Sequence, residues 1–178
     1  PGPDDNAPMN PAFSVIFLTT LIGAGQGLFL ALLAADLFGP AAPAFQLVGS
    51  LLALVLTGLG LLASFFHLGR PERAWRSAAM WRTSWLAREV ISLPLFMLGL
   101  MLYGLAQLQA WASTPLIGII VALLCLALFV CTGMVYASIR FLQEWASPLT
   151  LINYTLFGCA SGFTLATWLA SLFEASAV

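Results

Sequence analysis

The chain has 178 residues, of which 61% are hydrophobic and only 7% are charged. In a soluble domain about a quarter of the residues are charged, so this chain has too few polar side chains to cover a globule in water. Lysine is absent and the formal net charge is −1, which excludes the broad basic surface that nucleic-acid binding requires. Because lipid offers the backbone no hydrogen-bond partners, the composition predicts an all-α integral membrane protein.

Crossing a bilayer as a helix takes about 20 apolar residues. Five stretches of this kind predict a bundle of about five transmembrane helices, near residues 13–35, 45–66, 88–109, 115–138 and 149–172. They form one predicted transmembrane domain, residues 13–173, with tails at 1–12 and 174–178. The first tail carries two aspartates and no positive charge, so it does not read as a signal peptide. Met9 reads as a natural start, which leaves residues 1–8 either native or an added extension.

Several small or polar residues within the spans predict how the helices pack. Gly23 and Gly27 are four apart, as are Gly158 and Gly162, and small residues at this spacing let helices approach closely in lipid. Gln26 lies at the depth of the first pair and needs a partner, for which an interhelical hydrogen bond is expected. The three cysteines lie in apolar stretches without metal-ligand spacing, so they are interpreted as buried small hydrophobes.

One polar stretch, residues 67–89 (called here the polar segment), separates the second span from the third. It holds seven of the 13 charged residues, five of the six arginines and the only histidine. Pro71 and Glu72 suit the start of a helix, and arginines alternate with tryptophans at helical spacing. Residues 71–82 are therefore predicted to form one short interfacial helix between spans 2 and 3.

Alternation of the spans places the N-terminus, the polar segment and the 139–148 turn on one membrane face. All six arginines lie on that face and none on the other. Because cytoplasmic loops carry an excess of arginine and lysine, the face holding residues 67–88 is predicted to be cytoplasmic.

His67 and Glu89 open and close the polar segment, so a helix hairpin would hold them at similar depth. Ionisable groups at this depth are a functional hypothesis by default, and histidine exchanges protons near neutral pH. The pair would suit a lipid-soluble quinol, which releases two electrons and two protons. Structural alternatives stay open: His67 could reach toward the headgroups, Glu89 could pair with an arginine such as Arg88 or Arg140, and the tryptophans could form an interfacial belt.

Tightly bound cofactors are not expected in this chain. Haems in membrane cytochromes are most often held by pairs of histidines, and this chain has one histidine, so two haems bound in this way are excluded. An iron–sulfur cluster normally needs four thiolates, and the chain has three cysteines. No metal site is predicted.

Three stretches resemble the membrane anchor subunits of DMSO reductase and sulfite dehydrogenase type molybdoenzymes. They are PAFSVIFLTTLIGAGQGLFLAL, FHLGRPERAWRSAAMWRTSWLAREV and YASIRFLQEWASPLTLINYTLFGCASGFTLAT, which together span most of residues 11–167. The second stretch is the most specific.

The resemblance implies a haem-free anchor in a bacterial inner membrane that docks an iron–sulfur subunit and, through it, a molybdopterin catalytic subunit. It also implies electron and proton exchange with the quinone pool, with His67 and Glu89 in the quinol site. It makes Arg70, Arg73 and Arg76 candidates for the quinone pocket or for partner docking. Trp75, Trp81 and Arg88 of the same segment are predicted as further candidates for these roles. Family members have about eight spans, so five spans predict either a portion of a longer chain or a short member.

Two other classes of function remain open at this stage. A passive scaffold would use the polar segment only to dock a partner. A transporter is disfavoured, because no span is visibly broken at mid-depth and the two halves show no repeat.

Overall fold

A computed structural model describes residues 13–39, 42–65, 78–138 and 147–175. Its five long helices are α1 (Phe13–Phe38), α2 (Pro43–Phe65), α3 (Trp85–Leu108), α4 (Thr114–Ala137) and α5 (Pro148–Ala175). All five are long and apolar enough to cross a membrane, which confirms the predicted number of spanning helices. Each helix end lies within three residues of its predicted position.

Contacts between distant residues show that the helices alternate in direction. Glu89 near the start of α3 meets Thr132 near the end of α4, whereas Phe45 at the start of α2 meets Phe173 at the end of α5. One end of the bundle therefore carries the starts of α1, α3 and α5. We call it the polar-segment end, because residues 78–84 lead directly into α3 there.

Helix α1 is the centre of the bundle. It packs against α2, α4 and α5, while α3 packs against α2 and α4. Half of the spanning window of α1 is buried, against 22% for α5. Phe29 of α1 is fully buried and makes edge-on ring contacts with Phe96 and Tyr103 of α3, at centroid distances of 5.8 and 5.4 Å.

The two predicted glycine pairs pack against each other. A Cβ added at Gly162 would overlap backbone atoms of Gly27 and Leu28, and one added at Gly27 would overlap the backbone of Gly158. The backbones of α1 and α5 thus touch, which confirms the close-packing role predicted for both pairs.

The predicted interhelical hydrogen bond of Gln26 is also confirmed. Its Nε2 donates to the carbonyl oxygen of Cys125 in α4 at 2.9 Å, and both side chains are fully buried. The cysteine thiols are free, with Cys125 and Cys131 buried and Cys159 half-buried. This agrees with their interpretation as small hydrophobes.

The interfacial helix predicted over 71–82 is not supported. Residues 71–77 lie outside the described residues, and Ala78–Met80 form only a single 3₁₀ turn. The Met80 carbonyl then accepts from the backbone N–H groups of Thr83 and Ser84. Ser84 caps α3 by accepting from Ala87 N, so the third span begins three residues earlier than predicted and takes its first turn from the end of the polar segment.

Candidate functional site

The structure describes three of the eight side chains predicted for the site. Glu89, Trp81 and Arg88 are described, whereas the other five lie outside the described residues: His67, Arg70, Arg73, Trp75 and Arg76. The proximity of His67 to Glu89 therefore stays a prediction.

Glu89 is a buried carboxylate between two helices. Only 8% of the residue is exposed, and its Oε1 accepts a hydrogen bond of 2.8 Å from the Thr132 hydroxyl of α4. Thr132 is itself 1% exposed. An ionisable group held among apolar helices is costly unless it is hydrogen-bonded, so this contact explains how the bundle holds a carboxylate here.

Arg88 shapes the entry to α3. Its guanidinium group donates to the carbonyl oxygens of Trp81 and Arg82, at 2.9 and 3.1 Å, and stacks on the Trp85 ring with 4.2 Å to the centroid. These contacts fold the 78–84 turn against the first turn of α3. The resulting surface exposes Trp81 (53%) and Arg82, whose guanidinium carbon lies 5.5 Å from the Trp81 ring centroid.

A cleft opens between α1 and α5 at the polar-segment end. Its volume is about 540 Å³, which is within the usual range for small-molecule sites. Part of the lining is apolar and faces the bilayer, and the rest presents hydroxyl and amide groups. The lining residues that matter here are Ile16, Thr19, Tyr136, Asn153, Tyr154 and Phe157.

Tyr154 belongs to the wall of this cleft. Its hydroxyl donates to the Thr19 carbonyl oxygen at 3.5 Å. This hydrogen bond joins α5 to α1 at the wall of the cleft.

The opposite end of the bundle holds a second polar cluster. The Tyr103 hydroxyl donates to Asp36 Oδ2 at 3.1 Å and accepts from Gln107 Nε2 at 2.9 Å. Gln46 donates to the Leu32 carbonyl oxygen at 2.9 Å. Because these contacts tie α1, α2 and α3 together, the cluster is a structural clamp.

Sequence reasoning missed Thr132, Tyr136 and Tyr154. One local signal was present, since Thr132 and Tyr136 are four apart and so share a face of α4. Nothing local points to Tyr154, because its place in the cleft depends on how α1 and α5 are rotated against each other.

Five membrane-length helices with a carboxylate buried near one end define a multi-pass helical membrane protein. A family model described as "DMSO reductase anchor subunit (DmsC)" matches residues 9–177, and the chain belongs to this family. The resemblance stated from the sequence is thereby confirmed.

A sulfite dehydrogenase subunit of Allochromatium vinosum is 55% identical over 177 residues, covering 89% of this chain and 54% of that protein. The chain thus spans about half the length of this relative. No solved structure matches the chain.

Proposed function

We propose that this chain is a haem-free membrane anchor that exchanges electrons and protons with the quinone pool. In this proposal it docks an iron–sulfur subunit and a molybdopterin catalytic subunit in a respiratory complex of the sulfite dehydrogenase or DMSO reductase type. Family membership and the relative's name support the role of anchor. The complex would lie in a bacterial inner membrane, and the arginine count favours a cytoplasmic polar-segment end.

The observation that carries the quinone part is the buried Glu89 carboxylate. A passive anchor has no need of an ionisable side chain among apolar helices, where such groups typically mark proton or ion pathways. Glu89 lies near the start of α3, at the end of the bundle where the described turn 78–84 enters this helix. A carboxylate there can take up or release a proton when a quinone is reduced or its quinol oxidised.

Glu89→Gln is expected to lower quinone-linked turnover of the assembled complex at least tenfold, because the amide keeps the shape and the Thr132 hydrogen bond but cannot carry the proton. Turnover would be measured in membranes, together with retention of the partner subunits and catalytic activity with an artificial electron carrier. Asp36→Asn is the matched control. It makes the same change in the clamp at the opposite end and is expected to keep full turnover.

Full quinone-linked turnover in Glu89→Gln, with the complex intact, would leave this chain as a passive scaffold. If Glu89→Gln loses both turnover and partner subunits, the activity with the artificial electron carrier shows whether the catalytic subunit itself is still active.

Partner docking is best supported at the exposed turn that precedes α3. Arg82→Glu reverses a charge on this surface, so we expect a several-fold loss of the iron–sulfur subunit when the complex is purified through this chain. Gln109→Glu introduces the same acidic side chain at the opposite end and is expected to leave the complex intact. Equal retention by both variants would exclude this turn as the docking surface.

A further inference from the structure

The Thr132 hydroxyl is bonded differently from other threonine hydroxyls in the spanning helices. The usual partner of a threonine hydroxyl inside a helix is a backbone carbonyl oxygen about one turn earlier. Several threonines of this chain follow that pattern within their own helix: Thr19, Thr57, Thr155, Thr164 and Thr167. The Thr132 hydroxyl instead donates to a side chain of another helix, Glu89 Oε1, at 2.8 Å. It is directed at the carboxylate rather than at its own backbone.

The carboxylate accepts no second hydrogen bond from the residues that the structure describes. The neighbouring arginine, Arg88, donates to the carbonyl oxygens of Trp81 and Arg82. The Ser92 hydroxyl, three residues further along α3, donates to the backbone carbonyl oxygen of Glu89 at 3.4 Å. Of the two carboxylate oxygens, Oε1 is therefore bound by the α4 hydroxyl, and Oε2 is left without a donor in the described part of the chain.

Thr132 lies in a tightly packed part of α4. It is 1% exposed, and its neighbour Cys131 is also buried. A Cβ added at the next residue, Gly133, would lie only 3.1 Å from the Leu151 Cα of α5. Because α5 packs this closely against α4, the helix has little room to rotate. The hydroxyl is therefore a fixed donor, and the carboxylate takes its position from it.

The carboxylate needs such a donor in order to stay where it is. A glutamate side chain has several rotatable bonds, and holding it in one rotamer costs conformational entropy. A buried charge without a hydrogen-bond partner is also strongly unfavourable. Without the Thr132 hydroxyl, we expect Glu89 to turn toward the membrane surface and to leave its place between α3 and α4.

Resting on the proposed function, we infer that Thr132 is the positioning residue for proton exchange by Glu89. Its hydroxyl holds Oε1 and fixes the side-chain rotamer, which leaves Oε2 as the atom that binds and releases the proton. A hydroxyl has one proton to donate, and it donates this proton to Oε1 whether or not Oε2 is protonated. Thr132 therefore exchanges no proton itself and keeps one geometry in both states of the carboxyl group, as a preorganised site requires.

Removal of the hydroxyl alone tests this role in membranes that contain the assembled complex. Thr132→Val keeps the volume and is expected to lower kcat of quinone-linked turnover roughly tenfold, with KM within about twofold of the wild-type value. Thr132→Ser keeps the hydroxyl but loses the methyl group, and it is expected to recover most of kcat. A residue that only fills space would give the opposite order, with Thr132→Val more active than Thr132→Ser.

Thr57→Val is the matched control for these variants. Thr57 is fully buried, and its hydroxyl donates only to carbonyl oxygens of its own helix. The same change there is expected to keep full turnover, which separates the loss of a buried hydroxyl in general from the loss of the bond to Glu89.

Infrared difference spectra of the same membranes, recorded between the oxidised and reduced states, report on the carboxyl group directly. They are expected to show a C=O band of a protonated carboxyl group that Glu89→Gln abolishes. With the proton on Oε2, the C=O bond ends at Oε1, so the hydrogen bond from Thr132 lowers its stretching frequency. Thr132→Val is therefore expected to shift the band to higher frequency, whereas Thr132→Ser and Thr57→Val should leave it in place.

A double substitution shows whether Thr132 acts through Glu89. In combination with Glu89→Gln, Thr132→Val is expected to lower kcat no further, because residues that act as a unit are not additive. If Thr132→Val does not assemble with its partner subunits, Thr132→Ala takes its place in every measurement, since it removes the hydroxyl without placing a methyl group against the carboxylate.

The outcomes separate this inference from the proposed function. Full kcat in Thr132→Val, an unmoved carboxyl band, or additive losses in the double variant would each overturn the inference while turnover still depends on Glu89. Full turnover in Glu89→Gln, or the lack of any carboxyl band that depends on Glu89, would overturn the proposed function as well. A loss of kcat that Thr132→Ser recovers, together with the shifted band, would support both.

Discussion

Gly162→Ala is expected to lower the free energy of unfolding by about 3 kcal/mol, the upper end of the usual cost of overpacking. The new Cβ would overlap the backbone of Gly27 and Leu28. Backbone atoms cannot rotate away as a side chain can, so α1 and α5 would have to separate. In lipid the association of helices depends on close packing rather than on exclusion of water, and the loss would not be recovered elsewhere.

This prediction can be measured by unfolding the purified protein in detergent and by the yield of folded protein in membranes. Gly58→Ala is the matched control, because its Cβ would meet only the Met97 methyl carbon at 3.7 Å, an ordinary contact. Alanine is also the better helix former by about 1 kcal/mol, so Gly58→Ala should be neutral or slightly stabilising. If both variants have the same free energy of unfolding, the close contact between α1 and α5 is contradicted.

Phe29→Ala is expected to have a similarly large effect, about 3 kcal/mol. Phe29 is fully buried in the central helix and contacts two aromatic rings of α3. Its removal leaves a cavity whose lining loses dispersion contacts. A lipid chain cannot fill this space, because the residue lies in the core of the bundle with none of its surface exposed.

The comparison that isolates this effect is Leu123→Ala. Leu123 is 63% exposed on the lipid-facing side of α4, where acyl chains can replace the lost side chain, so a change below about 0.5 kcal/mol is expected. Phe29→Leu keeps most of the volume and should cost less than about 1.5 kcal/mol. All three variants would be measured with the same unfolding assay. If Phe29→Ala and Leu123→Ala lose the same free energy of unfolding, the central position of α1 is contradicted.

The sequence could predict the helices because the length of each apolar stretch sets the length of each span. It could also predict that Gln26 needed a partner and that the glycine pairs would be at contacts, since both follow from residue type within a single helix. It could not say that Gly27 meets Gly162. The spans are apolar on nearly every side, so there is little amphipathic pattern to show which face of a helix turns inward.

The same limit applies to the site. Glu89 stood out because a carboxylate is rare in such a sequence, whereas Thr132 and Tyr154 are ordinary residues in apolar spans. Thr132 is 43 positions from Glu89, and only the rotation of α3 against α4 brings these two together. Tyr154 comes to the cleft only because α5 packs on α1. The interfacial helix is not supported over the described part of its range, because Ala78–Met80 form a single 3₁₀ turn and Ser84 then caps the start of α3.

The central position of α1 has a consequence for biogenesis. This helix is synthesised before the helices that surround it, so it enters the membrane with its contact surfaces uncovered. The partner of Gln26 follows 99 residues later, and Gly162 follows Gly27 by 135 residues (162 minus 27). At about 5–20 residues per second, that second interval lasts roughly 7–27 s. During this time the insertion machinery, rather than the protein itself, must shelter the polar amide and the bare backbone of α1.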